Sequence, residues 1–204
     1  MEKKIVIKIG SGVLLTKRQK FDEFRLNHLA EQVKKLQEKG YSVVLVVSGA
    51  VAAGSKVIDL SDNDAHKRQA AAGIGQIQLI TALTETFQKH ELQLAQVLVT
   101  KDLLELYEQN IKNLLDFYTK NGIIAVINEN DVLDLNSFGG NDILAGEIAK
   151  LIQTEEVVIL STMKGSVYGV GGGETKVIVK KMLEAINIET IIVNGKTKNI
   201  LLTL

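Results

Sequence analysis

Tyr41-Ser42-Val43-Val44-Leu45-Val46-Val47-Ser48-Gly49-Ala50 is a run of β-branched and aliphatic residues that stops abruptly in small ones. No polar position interrupts Val43 to Val47, so a strand here is buried on both faces, as in a parallel sheet covered by helices on either side. Immediately upstream, Asp22 to Lys39 carries Leu26, Leu29, Val33 and Leu36 at helical spacing, with Gly40 as its stop. Before that, Lys4-Ile5-Val6-Ile7-Lys8-Ile9 reads as a first strand, broken by Gly10-Ser11-Gly12.

Downstream the same alternation continues. An Ala-rich helix is expected over Asp64 to Lys89, with Ile74, Ile77, Ile80, Leu83 and Phe87 on its inner side. Leu94 to Val99 reads as a strand. One amphipathic helix then spans Leu104, Tyr107, Ile111, Leu114 and Tyr118 and closes at Asn121-Gly122. Ile123 to Ile127 and Val157 to Leu160 are further buried strands, separated by a helix from about Asp142 to Ile152. Thr175 to Ile186 reads as helix and Thr190 to Val193 as a last strand. Strand and helix alternating in this way specify a three-layer α/β/α sandwich with a mainly parallel open sheet. Its 204 residues suit one large domain.

Composition narrows the function. Lys and Arg number 24 and Asp and Glu also 24, which leaves no net charge to hold a nucleic-acid backbone or an anionic membrane. The nine aromatic residues form no stacking stripe, so RNA recognition has no support. No apolar run reaches the length of a membrane span. The absence of cysteine excludes disulfides and thiolate chemistry and fits a reducing, cytoplasmic setting. His28, His66 and His90 are scattered and suggest neither a metal site nor a catalytic dyad.

In an open α/β sheet, ligands bind beyond the carboxyl ends of the strands, and the polar clusters of this chain fall there. Lys8-Ile9-Gly10-Ser11-Gly12 reads either as a phosphate cradle with a mobile cation or as a tight turn beside a surface lysine. It is not a Walker A loop, since Lys8 precedes the glycines, nor a dinucleotide loop, since Leu15 stands where the third glycine belongs. Ser48-Gly49-Ala50-Val51-Ala52-Ala53-Gly54 could present a hydroxyl and amides to a carboxylate, or could simply allow close packing of a helix on the sheet.

Asn128-Glu129-Asn130-Asp131 and Gly139-Gly140-Asn141-Asp142 gather amide and carboxyl groups able to receive both ends of an amino acid. Asn141 or Asp142 could equally be a helix N-cap. Ser161-Thr162 and Gly171-Gly172-Gly173-Glu174-Thr175-Lys176 could hold phosphate; taken alone, a loop beside a helix-surface lysine is the simpler account.

Together these stretches, with Gln69-Ala70-Ala71-Ala72-Gly73-Ile74-Gly75-Gln76, resemble the amino-acid kinase family and, within it, the glutamate kinases. The resemblance implies transfer of the γ-phosphoryl group of ATP to the side-chain carboxylate of L-glutamate, in the first step of proline biosynthesis. It implies that Lys8, Asp142 and Lys176 are catalytic, with Lys8 between donor and acceptor, Lys176 on the nucleotide phosphates and Asp142 holding both lysines. Ser48, Asp131 and Asn141 match glutamate-binding positions. Lys8, Gly10, Ser161, Thr162, Gly171, Gly172 and Lys176 match nucleotide-binding ones. Mg²⁺ would be carried with the ATP, and no metal site of the protein's own is implied. Residues 1–153 would form the amino-acid-binding part and 154–204 a shortened nucleotide-binding part, because the join near Tyr168-Gly169 is brief for such a kinase.

Gly140 also stands where these kinases have an aspartate, Thr162 where an aspartate is usual, and Glu174 where a small or apolar residue is usual. A catalytically impaired amino-acid-binding relative is the alternative. The family further implies a homo-oligomer, proline as a feedback inhibitor and a link to a glutamate-5-phosphate reductase.

Overall fold

The uninterrupted apolar run becomes the strand β2 (Tyr41–Val47), buried at every residue but its first. The computed structural model describes residues 3–62, 64–162 and 173–203, apart from the side chains of residues 173 and 174. Strand β2 pairs with β1 (Lys3–Ile9) on one side and β4 (Ile124–Glu129) on the other. Beyond them lie β3 (Leu94–Val99) next to β4, β5 (Glu156–Ser161) next to β1, and β6 (Glu189–Asn194) at the far edge. The order is β3-β4-β2-β1-β5-β6 and each of these pairings is parallel.

Between the strands run α1 (Ser11–Leu14), α2 (Glu23–Glu38), α3 (Ala50–Gly54), α4 (Ala65–Gln88), α5 (Lys101–Leu106), α6 (Glu108–Lys120), α7 (Asn141–Ile152) and α8 (Gly173–Glu184), and a 3₁₀ turn follows at Ile200–Leu202. Asp22 and Asp64 start the two long helices by accepting the backbone N–H of Arg25 and Lys67, as N-cap carboxylates do.

The pleat sorts each strand between two cores. Ile5, Ile7 and Ile9 pack with Leu29, Val33, Leu79, Leu83 and Phe87 of α2 and α4. Val6, Val44, Val46, Ile127 and Ile159 pack with Leu144, Ile148 and Val179 of α7 and α8. This is the expected three-layer sandwich. Lys8 alternates with Val6 and so shares the α7 face. Because β1 connects toward β2 and β5 toward β6, their adjacent ends form the topological crevice.

Three local expectations are corrected. In α4 the inner side is Ala71, Ala72, Gly75, Leu79, Leu83 and Phe87, while Ile77 is 69% exposed. The reason is that α4 is gripped by α3 as well as by the sheet. A Cβ on Gly75 would lie 1.8 Å from the Ala50 carbonyl oxygen, and one on Gly54 would lie 1.9 Å from that of Ala71. The small residues after β2 therefore pack helix on helix, not helix on sheet. The single helix expected across Leu104–Tyr118 breaks at Tyr107 into α5 and α6; Tyr107 and Leu114 are exposed, and Leu115 and Thr119 are buried. Finally, Gly140, at φ +126°, precedes the first residue of α7. Neither Asn141 nor Asp142 is the cap.

Candidate active site

Four strand ends meet at the crevice. The Gly10 N–H donates to the Leu160 carbonyl at 3.0 Å, and a Cβ on Gly12 would come 2.6 Å from the Thr162 hydroxyl. Gly49, at φ +113°, brings the end of β2 against Ser11. Side chains larger than hydrogen would push these loops apart. They enclose a cavity of about 480 Å³ lined by Lys8, Gly10, Ser11, Gly12, Ser48, Asn136, Gly139, Gly140, Asn141, Asp142, Ser161, Thr162, Thr175 and Lys176.

At its floor, Asp142 in the first turn of α7 is almost fully buried. Lys8 Nζ lies 2.7 Å from its Oδ1 and Lys176 Nζ 2.8 Å from its Oδ2. The Thr175 hydroxyl also donates to Oδ2, at 3.0 Å. Close packing of α7 on α8 makes this possible. Gly146 faces Val179 and Met182, where a Cβ would come 2.4 Å from the Met182 methyl carbon, so the two helices approach one turn below their charged ends.

Burial would raise the Asp142 pKa, but the two ammonium groups outweigh it and hold the carboxyl below its ordinary value. Burial prevails at Lys8, whose pKa falls below the ordinary lysine value despite the attraction of Asp142. Two cations share one anion, so this trio carries net positive charge. The surrounding hydroxyls and glycines can approach phosphate oxygens. Asp142 is the carboxylate among the described lining residues, and both its oxygens are committed to lysines. This donor set suits a divalent ion held by phosphate oxygens and water, not by the protein.

Beside the trio, the Asn141 Oδ1 is buried with no hydrogen-bond partner among the described residues, an acceptor on the cavity wall. Asp131 is not on that wall. Its Oδ1 accepts the backbone N–H of Asn136 at 3.1 Å, and burial raises its pKa despite that bond and the attraction of Arg68. The structure thus brings together Lys8, Gly10, Ser48, Asn141, Asp142, Ser161, Thr162 and Lys176; Gly171 and Gly172 lie outside the described residues. Asn136, which the sequence reading missed, lines the cavity in the left-handed region at φ +60°. Asn tolerates that conformation, and the Asn136-Ser137 step in a polar loop was the available signal. Ser11 and Thr175 stood within quoted motifs but carried no assigned role.

Elsewhere, no three His, Cys, Asp or Glu side chains among the described residues could hold a metal ion, and no described helix is long and apolar enough to cross a membrane. His28 accepts the Asn199 N–H and His66 is fully open to solvent.

The sequence matches the amino acid kinase family over residues 3–199. It is 34% identical to glutamate 5-kinase of Syntrophus aciditrophicus, over 98% of this chain and 62% of that protein. It is 41% identical to glutamate 5-kinase of Citrifermentans bemidjiense, over 80% of this chain and 45% of that one. Glutamate 5-kinase 2 of Bacillus subtilis is 38% identical over 80% of the chain. The chain thus spans about half to three-fifths of the length of these relatives. The Syntrophus alignment extends over 239 positions, at least 35 more than the 204 residues here, so the relative holds extra residues inside the matched region.

Among solved structures, UMP kinase from Ureaplasma parvum superposes with a TM-score of 0.67 at 16% identity, covering 98% of this chain and 92% of that one. Giardia carbamate kinase gives 0.68 at 13% identity, covering 96% and 94%. At such identities the likeness concerns the fold. Taken with the family match along nearly the whole sequence, the chain belongs to the amino-acid kinase family.

Proposed function

We propose that the protein transfers the γ-phosphoryl group of ATP to the side-chain carboxylate of L-glutamate, forming glutamate 5-phosphate and ADP, the first step of proline biosynthesis. The observation that carries this reading is the pair of ammonium groups, Lys8 and Lys176, held on one carboxylate in a hydroxyl-lined cavity. The relatives named glutamate 5-kinase support the choice of acceptor.

In this reaction a carboxylate oxygen forms a bond to the γ-phosphorus while the bond to the β–γ bridging oxygen breaks, and ADP leaves with the electron pair. Such transfer needs alignment and charge neutralisation more than covalent help from the protein. Lys8, reaching up from β1, stands between donor and acceptor and neutralises the transferring group. Lys176 holds the nucleotide phosphates from α8. Asp142 keeps the two cations fixed and near each other before substrate arrives. On the acceptor side, Ser48 and Asn141 receive glutamate, the Asn141 oxygen taking the α-ammonium group, and Asp131 contributes by fixing Asn136. Gly10, Ser161 and Thr162 line the path of the nucleotide, and the resemblance to the family assigns Gly171 and Gly172 to the same ligand. Mg²⁺ accompanies the ATP.

In this reading residues 1–153 form the acceptor part and 154–204 a shortened nucleotide part of one kinase domain, acting in the cytoplasm as a homo-oligomer. Proline would act as feedback inhibitor, and a reductase would consume the labile acyl phosphate. The test is ADP release: it should require both L-glutamate and Mg²⁺. Calorimetric binding of glutamate without any binding of ATP would instead identify an amino-acid-binding relative that does not turn over.

A further inference from the structure

Gln69 to Gln76 is the one quoted motif that the reaction leaves without a task. It lies in α4, outside the cavity, and its last residue begins a series of buried polar contacts. The Gln76 Oε1 accepts the Asn128 side-chain N–H at 2.8 Å. Asn128 Oδ1 in turn accepts the backbone N–H of Glu129 at 3.0 Å. Glu129 Oε2 accepts the backbone N–H of Phe138 at 3.3 Å. Phe138 leads directly into Gly139-Gly140-Asn141-Asp142, the entry to α7. Gln76, Asn128 and Glu129 are each less than a tenth exposed. The series therefore joins mid-α4 to the loop that delivers Asn141 and Asp142.

The placement is costly, which argues for a use. Buried amides are tolerated when hydrogen-bonded, yet Gln76 Nε2 has no partner among the described residues. Apolar side chains at both 76 and 128 would fill the same space without that unmet donor. Local violations of this kind collect where positioning matters more than stability. The other face of this segment is fixed too: Gly75 meets Ala50, just after Ser48, and Gln69 donates to the Val132 carbonyl at 3.0 Å.

We infer that Gln76 is a positioning residue for the acceptor half of the site, acting through Asn128, Glu129 and the Phe138 amide on Asn141 and Asp142. It touches no reacting group. The inference rests on the acceptor reading above for its kinetic consequence, but its structural consequence stands apart from that reading. The Asp131–Asn136 bond ties the same loop independently, so loss of Gln76 loosens the loop without releasing it.

The test is Gln76→Met, which keeps length and shape and removes both amide groups. Amide hydrogen exchange of the wild type and the variant reads the structural part whether or not the chain turns over. The Phe138 amide should exchange faster in Gln76→Met by about tenfold more than the α2 and α4 core amides do. Unchanged protection at Phe138, or equal acceleration throughout the protein, would overturn the inference. In turnover, the glutamate KM should rise about tenfold while the ATP KM stays within twofold; equal effects on both would also overturn it. If the wild type releases no ADP with glutamate, the functional reading fails and the exchange result still decides the role of Gln76.

Discussion

Lys8 and Lys176, from opposite ends of the chain, hold opposite oxygens of the same carboxylate, at 2.7 and 2.8 Å from Asp142. Neither lysine owes its position to local sequence. Lys8 is placed by the pleat of a central strand, and Lys176 by the close approach of α8 to α7 at Gly146. The arrangement keeps two like charges together on one anion, and its parts can be removed one at a time.

Lys8→Ala is expected to lower glutamate-dependent ADP release by about 10²- to 10³-fold, the usual cost of losing one preorganised charge at a transferring group. Its circular dichroism should match the wild type, because Asp142 retains Lys176. Lys176→Ala should raise the ATP KM more than the glutamate KM. Steady-state kinetics with each substrate varied in turn distinguish the two roles.

Asp142→Asn removes the anion that both ammonium groups contact. Breaking a buried ion pair costs about 3–5 kcal/mol, and the water of the open cavity moderates that to about 2–3 kcal/mol here. Urea denaturation measures it. The sign of the pH dependence follows from the lowered Asp142 pKa: its stabilisation is present above the ordinary aspartate pKa of 3.8 and is lost as pH falls through the lower folded value. The wild type and Asp142→Asn should therefore converge in stability only in strong acid.

Glu156 shows the opposite linkage. Its cross-strand partner in the parallel β5–β6 pair is Glu189, and one of its own carboxylate oxygens is buried without a hydrogen bond to any described residue. Burial and then the Glu189 charge raise its pKa, so the folded protein favours the protonated acid. Stability from this residue thus falls as pH rises from the ordinary glutamate value of 4.5 through the raised one. Glu156→Gln should be more stable than the wild type at pH 7.5 by about 0.5–1 kcal/mol and indistinguishable from it near pH 4. Melting curves at the two pH values check this.

Gly75→Ala places a methyl group where the Ala50 carbonyl oxygen stands. Backbone cannot yield as a side chain tip can, so α3 must move off α4. A loss of about 1–3 kcal/mol is expected, with a raised glutamate KM because only Gly49 separates Ser48 from α3. Gly40→Ala, in open space but at φ +86°, should cost about 1 kcal/mol without any change in KM.

Much of this architecture could be read from pattern alone. The β-branched run at Val43–Val47 and the Leu26–Leu36 spacing each read as one element, and the structure adopts it. The buried side of α4 could not be read, because Ala and Gly are packed there by a second helix and the larger Ile77 turns outward. The break at Tyr107 carried no Gly or Pro to announce it. In the site, the lysines and Asp142 were suggested by motif, but their meeting depends on Gly146 and on the crossover of α7 and α8. The Gln76–Asn128 contact joins residues far apart in sequence, and no local preference reveals it.

The most direct measurement of the central claim is a trapping assay. Hydroxylamine converts an acyl phosphate into a stable hydroxamate, so the protein is incubated with L-glutamate, MgATP and hydroxylamine, beside Lys8→Ala under the same conditions. The expected result is glutamate hydroxamate formed in step with ADP by the wild type and absent with Lys8→Ala. ADP released without hydroxamate, or hydroxamate formed equally well by Lys8→Ala, would contradict a carboxylate acceptor phosphorylated under the charge of Lys8.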